Sequence, residues 1–114
     1  MMGRFDRTYS KVLEVARKHP DIETRRSAVE AVGRISGTES REALEHIVSE
    51  DPSEDVQRQA VEVLGRREDA TVERLAGIAR NHPNSNVRRE AVDMIGRMDS
   101  EEAVRVLEKL IQGK

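Results

Sequence analysis

Three histidines are the first residues to test for chemistry, because imidazole is both a common metal ligand and the usual general base near neutral pH. They are His19, His46 and His82. No two stand at i, i+4 and no His-Glu dipeptide occurs, so the spacings with which a helix grips a metal are missing. His19 and His82 each precede a proline, and Asp51 holds the same place before the third proline. A position that Asp and His share is a turn position. With packed helices ~10 Å apart, two steps of stacking would separate the two imidazoles by about 20 Å, too far for one ion. His46 stands alone among acids. The serines Ser10, Ser27, Ser36, Ser40, Ser49, Ser53, Ser85 and Ser100 fall at helix starts or exposed positions, with no strand-turn-helix elbow around any of them. The absence of cysteine removes thiolate catalysis, disulfides and Cys-based zinc sites. No catalytic, cofactor-binding or metal-binding residue is expected, and the chain is read as non-enzymatic.

Arginine offers the next chemistry. Arg26, Arg58 and Arg89 recur six positions after the three prolines and could present a ladder to phosphate or carboxylate groups. Each is followed by an acid four residues on and an arginine eight on: Arg26-Glu30-Arg34, Arg58-Glu62-Arg66, Arg89-Asp93-Arg97. Pairing along each helix, at about 0.2–0.5 kcal/mol per pair, is the expected use of these charges. Arg25 and Arg88 beside them are expected to bond turn carbonyls or carboxylates of the adjacent repeat. The remaining charge is uneven. Segment 38–55 holds seven acids against Arg41, a balance of −6, whereas segment 1–20 holds five basic residues against Asp6 and Glu14, a balance of +3. An acidic segment favours a basic patch on a partner by speeding and orienting encounter.

Composition narrows the partner further. The chain of 114 residues carries 20 Lys plus Arg against 22 Asp plus Glu, with one Phe, one Tyr and no Trp. It has neither the positive field nor the stacking rings that hold nucleic acid, so no nucleic-acid partner is expected. No apolar run approaches the roughly 20 residues that span a bilayer, and Met1-Met2-Gly3-Arg4-Phe5-Asp6 is no signal peptide, so no membrane association is expected and a cytoplasmic location is favoured.

The elements that must position these residues follow from internal repetition. Pro20, Pro52 and Pro83 are 32 and 31 residues apart. Each is followed at fixed offsets by Ala-Val (Ala28-Val29, Ala60-Val61, Ala91-Val92) and then Gly-Arg (Gly33-Arg34, Gly65-Arg66, Gly96-Arg97). A first helical stripe, such as Val56, Ala60, Val61 and Leu64, follows each proline. Asp21, Ser53, and Asn84 or Ser85 can cap these helices, and the proline stops the helix before it. A second stripe follows a polar turn: Leu44, Ile47, Val48; then Leu75, Ile78, Ala79; then Leu107, Leu110, Ile111. Val12, Val15 and Ala16 carry the same stripe at the start of the chain. The pattern predicts an all-α chain of seven helices near 5–18, 22–35, 39–50, 53–66, 70–81, 85–98 and 100–112. It forms a single domain over 1–114, with 5–18 as an unpaired second helix and repeats at 20–50, 52–81 and 83–112. One helix pair cannot bury its apolar face alone, so the pairs must stack.

The run Asp51-Pro-Ser-Glu-Asp-Val-Gln-Arg-Gln-Ala-Val-Glu-Val-Leu-Gly65 closely resembles the first helix of HEAT-like repeats, of the short roughly 31-residue kind also found in phycobilin lyases. The resemblance spans about 5–112. It implies a right-handed α-solenoid of about three and a half helix pairs, with second helices lining a concave face, and a scaffold that binds a protein or peptide. The missing His-Glu pairs set the chain apart from di-iron hydroxylases built on such repeats. An alternative is an accessory domain of an enzyme or chromophore-attachment system, as in the bilin lyases.

Second-helix positions that vary between repeats, while the stripe beside them does not, mark a candidate face: Lys11, Glu14, Glu42, Glu45, His46, Glu73, Arg74 and Gly77. Phe5 and Tyr9 are expected to cover the open end of the core. A chain that begins half-way through a repeat is expected to be a monomer, or to associate end to end through its N-terminal helix.

Overall fold

The computed structural model describes residues 2–112, with side chains from Thr8 onward. Seven helices follow one another: α1 (Met2–Lys18), α2 (Ile22–Gly33), α3 (Thr38–Glu50), α4 (Glu54–Arg66), α5 (Val72–Asn81), α6 (Ser85–Gly96) and α7 (Glu101–Ile111). No strand occurs among the described residues. The long axis measures 48 Å against 28 and 17 Å across, so the helices form an elongated, solenoid-like stack.

Three proline turns are built alike. The proline has no N–H to give, and the side chain before it accepts the backbone N–H two residues on. His19 Nδ1 takes the Asp21 N–H at 3.1 Å, Asp51 Oδ1 the Ser53 N–H at 2.8 Å, and His82 Nδ1 the Asn84 N–H at 3.0 Å. One acceptor position is thus filled by either residue type. The next helix is then capped by Asp21, Ser53 or Asn84, each accepting from a first-turn N–H. Thr71 and Ser100 cap α5 and α7 in the same way. Helix α3 starts differently: Gly37 sits at φ 114°, open only to glycine, and the Ser40 hydroxyl bonds back to the Ile35 carbonyl at 2.6 Å. Helices α2 and α6 stop two residues earlier than the stripe suggests. Tight turns there, with Ile35 N–H on Val32 O and Met98 N–H on Ile95 O, end the helical hydrogen bonding.

A continuous aliphatic core runs through the stack, with Val29, Val32, Leu44, Ile47, Val56, Val61, Leu75, Val87 and Ile95 buried in it. The most extensive packing joins helices across the proline turns: α1 with α2, α3 with α4, α5 with α6. Helix α1, expected as a second helix without its own first, lies along α2 in this way. Helices α2, α4 and α6 also stack on one another as a close row. Glycine makes that closeness possible. A Cβ at Gly33 would collide with Val63, and one at Gly65 would lie 2.6 Å from Met94 Cε and 3.1 Å from Met94 Cβ. Tyr9 is half-buried against Ser40 at the start of α3, and its desolvation raises the phenol pKa. The Phe5 side chain lies outside the described residues.

The repeated arginine and acid positions find their nearest partners across the stack rather than along each helix as expected, although Arg58 also lies 3.9 Å from Glu54 one turn before it. Glu30 receives Gln59 Nε2 at 3.0 Å and Arg66 Nη2 at 3.2 Å from the next first helix, and Arg58 reaches Glu90 at 3.5 Å. A stacked neighbour brings a partner nearer than the helical turn above does. Arg25 and Arg88 behave as expected, donating to the His19 and His82 carbonyls at 2.8 and 2.6 Å. Arg25 also grips Asp51 with two bonds, both side chains buried, so this pair locks α2 to the end of α3.

Candidate functional site

Second helices are less evenly spaced than first helices. Helix α1 packs on α3 and α5 on α7, whereas α3 and α5 make the least contact of any adjacent second helices. Between them runs a groove of about 370 Å³. Val48 from α3 and Ile78 from α5 form its floor, with Ser49, Asn81 and Pro83 along the sides.

Gly77 decides the shape of this groove. It lies mid-helix in α5, where glycine costs roughly 1 kcal/mol relative to alanine. Unlike Gly33 and Gly65, it has no atom within 4 Å of the place its Cβ would take, so packing does not demand it. What it supplies is space.

One end of the groove is rimmed by charge. Arg74 Nε lies 3.9 Å from Glu45 Oε2, and the same carboxylate oxygen lies 3.8 Å from Arg41 Nε. Arg74 Nη1 also donates to the Asp69 carbonyl at 3.2 Å. Glu45 and Arg74 are partly solvated, and pairs of that kind contribute only about 0–1 kcal/mol, so an incoming charge can replace either partner. The other end is closed by His82. Its Nε2 contacts the Val48 carbonyl at 2.8 Å while Nδ1 accepts from Asn84. With Nδ1 accepting, Nε2 carries the proton, and both ring nitrogens are used in holding the turn.

Of the eight face residues anticipated from the sequence, the fold gathers Glu45, Arg74 and Gly77 at this groove. Glu42 and His46 lie exposed on α3, Glu73 on α5, and Lys11 and Glu14 on α1. The floor residues Val48 and Ile78 were legible only as members of the apolar stripe. Asn81 and Pro83 carried no signal of the groove. Much of the acidity of segment 38–55 is used internally. Asp51 is taken by Arg25, and Glu54 is clasped by Asn84 Nδ2 and Asn86 Nδ2, each at 3.0 Å, which hold its carboxyl below the usual range. Glu39, Glu42 and Glu50 remain exposed on α3. No three His, Asp or Glu side chains converge to hold a metal among the described residues.

The family model for HEAT repeats matches residues 9–80 and again 42–114. This chain belongs to the HEAT-repeat family. The two overlapping matches fit the internal period, in which any two neighbouring repeats look like the next two. No curated protein and no solved structure matches the chain. HEAT repeats are generally protein-interaction scaffolds, and their all-α fold is typically non-enzymatic.

Proposed function

We propose that this HEAT-repeat chain is a non-catalytic scaffold that binds a peptide segment of another protein on its second-helix face, along the groove between α3 and α5. The observation that carries this reading is Gly77, a mid-helix glycine that lines the groove at a place where no neighbouring atom excludes a side chain. A ligand segment with one apolar side chain over Val48 and Ile78 and basic residues towards Glu42, Glu45 and Glu50 matches both the floor and the charge around it. The weak Glu45–Arg74 pair then opens to admit a guest charge of either sign.

The test is affinity capture from the source cell with wild type, Gly77→Leu and the triple variant Glu42→Lys/Glu45→Lys/Arg74→Glu. Gly77→Leu should fill the groove and weaken capture by about tenfold or more, the scale of a lost central contact. A partner retained equally by both variants removes the second-helix face from consideration.

A further inference from the structure

The charged end of the α3–α5 groove holds two guanidinium groups around one loosely kept carboxylate. Arg41 Nε and Arg74 Nε lie 3.8 and 3.9 Å from the same Glu45 oxygen, both beyond hydrogen-bond length. Arg41 Nε is shut from solvent and has no acceptor among the described residues. A buried donor left in that state is costly. The three side chains are not equally free. Arg41 is 18% exposed and reaches Asp69 Oδ2 at 3.5 Å, and Arg74 donates to the Asp69 carbonyl at 3.2 Å. Glu45 is 39% exposed and touches the arginines only through the two long contacts. It is the member that can swing out while both arginines stay. A small recess of about 20 Å³ beside them, lined by Leu64, Leu75 and Ile78, meets the groove at Ile78.

We infer that this end is a carboxylate site, which Glu45 occupies from within and an acidic side chain of the bound peptide takes over. The inference rests on the groove reading above and fixes the sign of the guest charge at the Glu45–Arg74 pair. A cation replacing Arg74 on Glu45 would meet Arg41, which remains. A carboxylate instead supplies the acceptor that Arg41 Nε lacks and keeps Arg74 paired. Glu45 stands one turn before Val48 on α3, as Arg74 does before Ile78 on α5, so the site lies about 5 Å along the groove from its floor. An extended peptide sets every second side chain on one side, about 6.5 Å apart. The fitting guest therefore carries an apolar residue two positions from its acid. Glu45, once released, joins the exposed Glu42 in facing the basic residues that flank it.

The experiment titrates the isotope-labelled full chain with the capped peptide Gly-Leu-Thr-Glu-Thr-Leu-Gly, which sets leucine two residues to either side of the acid. Counterparts with Gln or Lys in place of Glu are titrated beside it. The Glu peptide should shift the Nε–H resonances of Arg41 and Arg74 and the amides of Val48 and Ile78. The Gln peptide should bind about tenfold more weakly, the scale of a lost hydrogen bond to a charged group. Glu45→Gln should tighten the Glu peptide by removing the internal competitor, and Glu42→Gln, at an exposed acid on the same helix, should change it far less. Arg74→Gln, at a solvated position, should erase the preference for Glu over Gln. Arg41→Lys, which keeps the charge but loses Nε, should reduce it. Equal affinity for the Glu and Gln peptides, a Glu45→Gln variant that binds no tighter, or no shift at millimolar Glu peptide overturns the inference. Tighter binding of the Lys peptide at the same amides overturns it while leaving the groove in place. The groove itself is judged separately, by capture with Gly77→Leu.

Discussion

Gly33, Gly65 and Gly96 occupy one place in the repeat, yet an added methyl group meets a different neighbour at each. At Gly33 it meets Val63, whose β-branched side chain has little freedom to move aside. At Gly65 it meets Met94, whose flexible thioether can swing away at lower cost. At Gly96 and Gly77 it meets nothing. Urea unfolding of the four alanine variants should therefore rank them by neighbour. Gly33→Ala should lose about 1–3 kcal/mol, as overpacking does. Gly65→Ala should lose less, Gly96→Ala should stay within about 0.5 kcal/mol of wild type, and Gly77→Ala should gain roughly 0.5–1 kcal/mol from helix propensity. Equal destabilisation at Gly33 and Gly96 would show that the close row of first helices is not what holds the glycine there. A stabilising Gly77→Ala that binds its partner less well would identify Gly77 as a residue kept for function against stability.

Between elements, the stack is clasped by carboxylates that take hydrogen bonds from the next repeat. Glu30 is held below the usual carboxylate range first by the Gln59 amide and then by Arg66. Glu54 is lowered as well, between Asn84 and Asn86, and so is Asp69, whose chief partner Arg67 stands in its own turn while Arg41 reaches it from the preceding repeat. The sign follows from these directions. Each group has a lower pKa folded than unfolded, so its stabilisation is complete above the unfolded values of about 3.9 for Asp and 4.3 for Glu. It is lost as pH falls through the folded values. Thermal unfolding should therefore show a Tm that is flat with respect to these groups above about pH 5 and falls below about pH 4. Gln59→Leu should shallow the acid limb, since it removes the strongest influence on Glu30. An unchanged acid limb in that variant would mean that Glu30 does not couple α2 to α4.

At the scale of the whole molecule, stability in a stack is a sum of repeats and interfaces, and the last helix has one interface fewer. Leu44 and Leu107 hold the same place in their stripes, but Leu44 is fully buried and Leu107 only half-buried. Leu44→Ala should cost about 2–5 kcal/mol, the range for a buried leucine. Leu107→Ala should cost less than half of that, and amide hydrogens of α7 should exchange before those of α4. Equal costs, or α7 exchanging only with global unfolding, would contradict an open-ended stack.

The architecture was legible in the chain because its signals are local and repeated. A proline with an acceptor before it, an apolar stripe at helical spacing and a recurring glycine act within a few residues, so three copies reinforce one reading. Even the substitution of Asp51 for histidine could be understood, since both accept the same N–H. Pairing of Glu30 with Gln59 and Arg66 could not be read this way, because helical spacing offers every acid a neighbour on its own helix and says nothing about the helix beside it. The groove was half legible: variation between repeats pointed to Glu45, Arg74 and Gly77. Its floor was hidden because Val48 and Ile78 obey the core pattern. The distance between α3 and α5 leaves Ile78 half-buried beside the buried Val48, which no pattern within either helix foretells. What the sequence determined by itself was the order, length and capping of the helices, since those depend on forces acting along one turn. The tertiary structure alone decided which carboxylates are used internally and which face outward, and where the stack opens, since both depend on how far apart two separately formed helices come to rest.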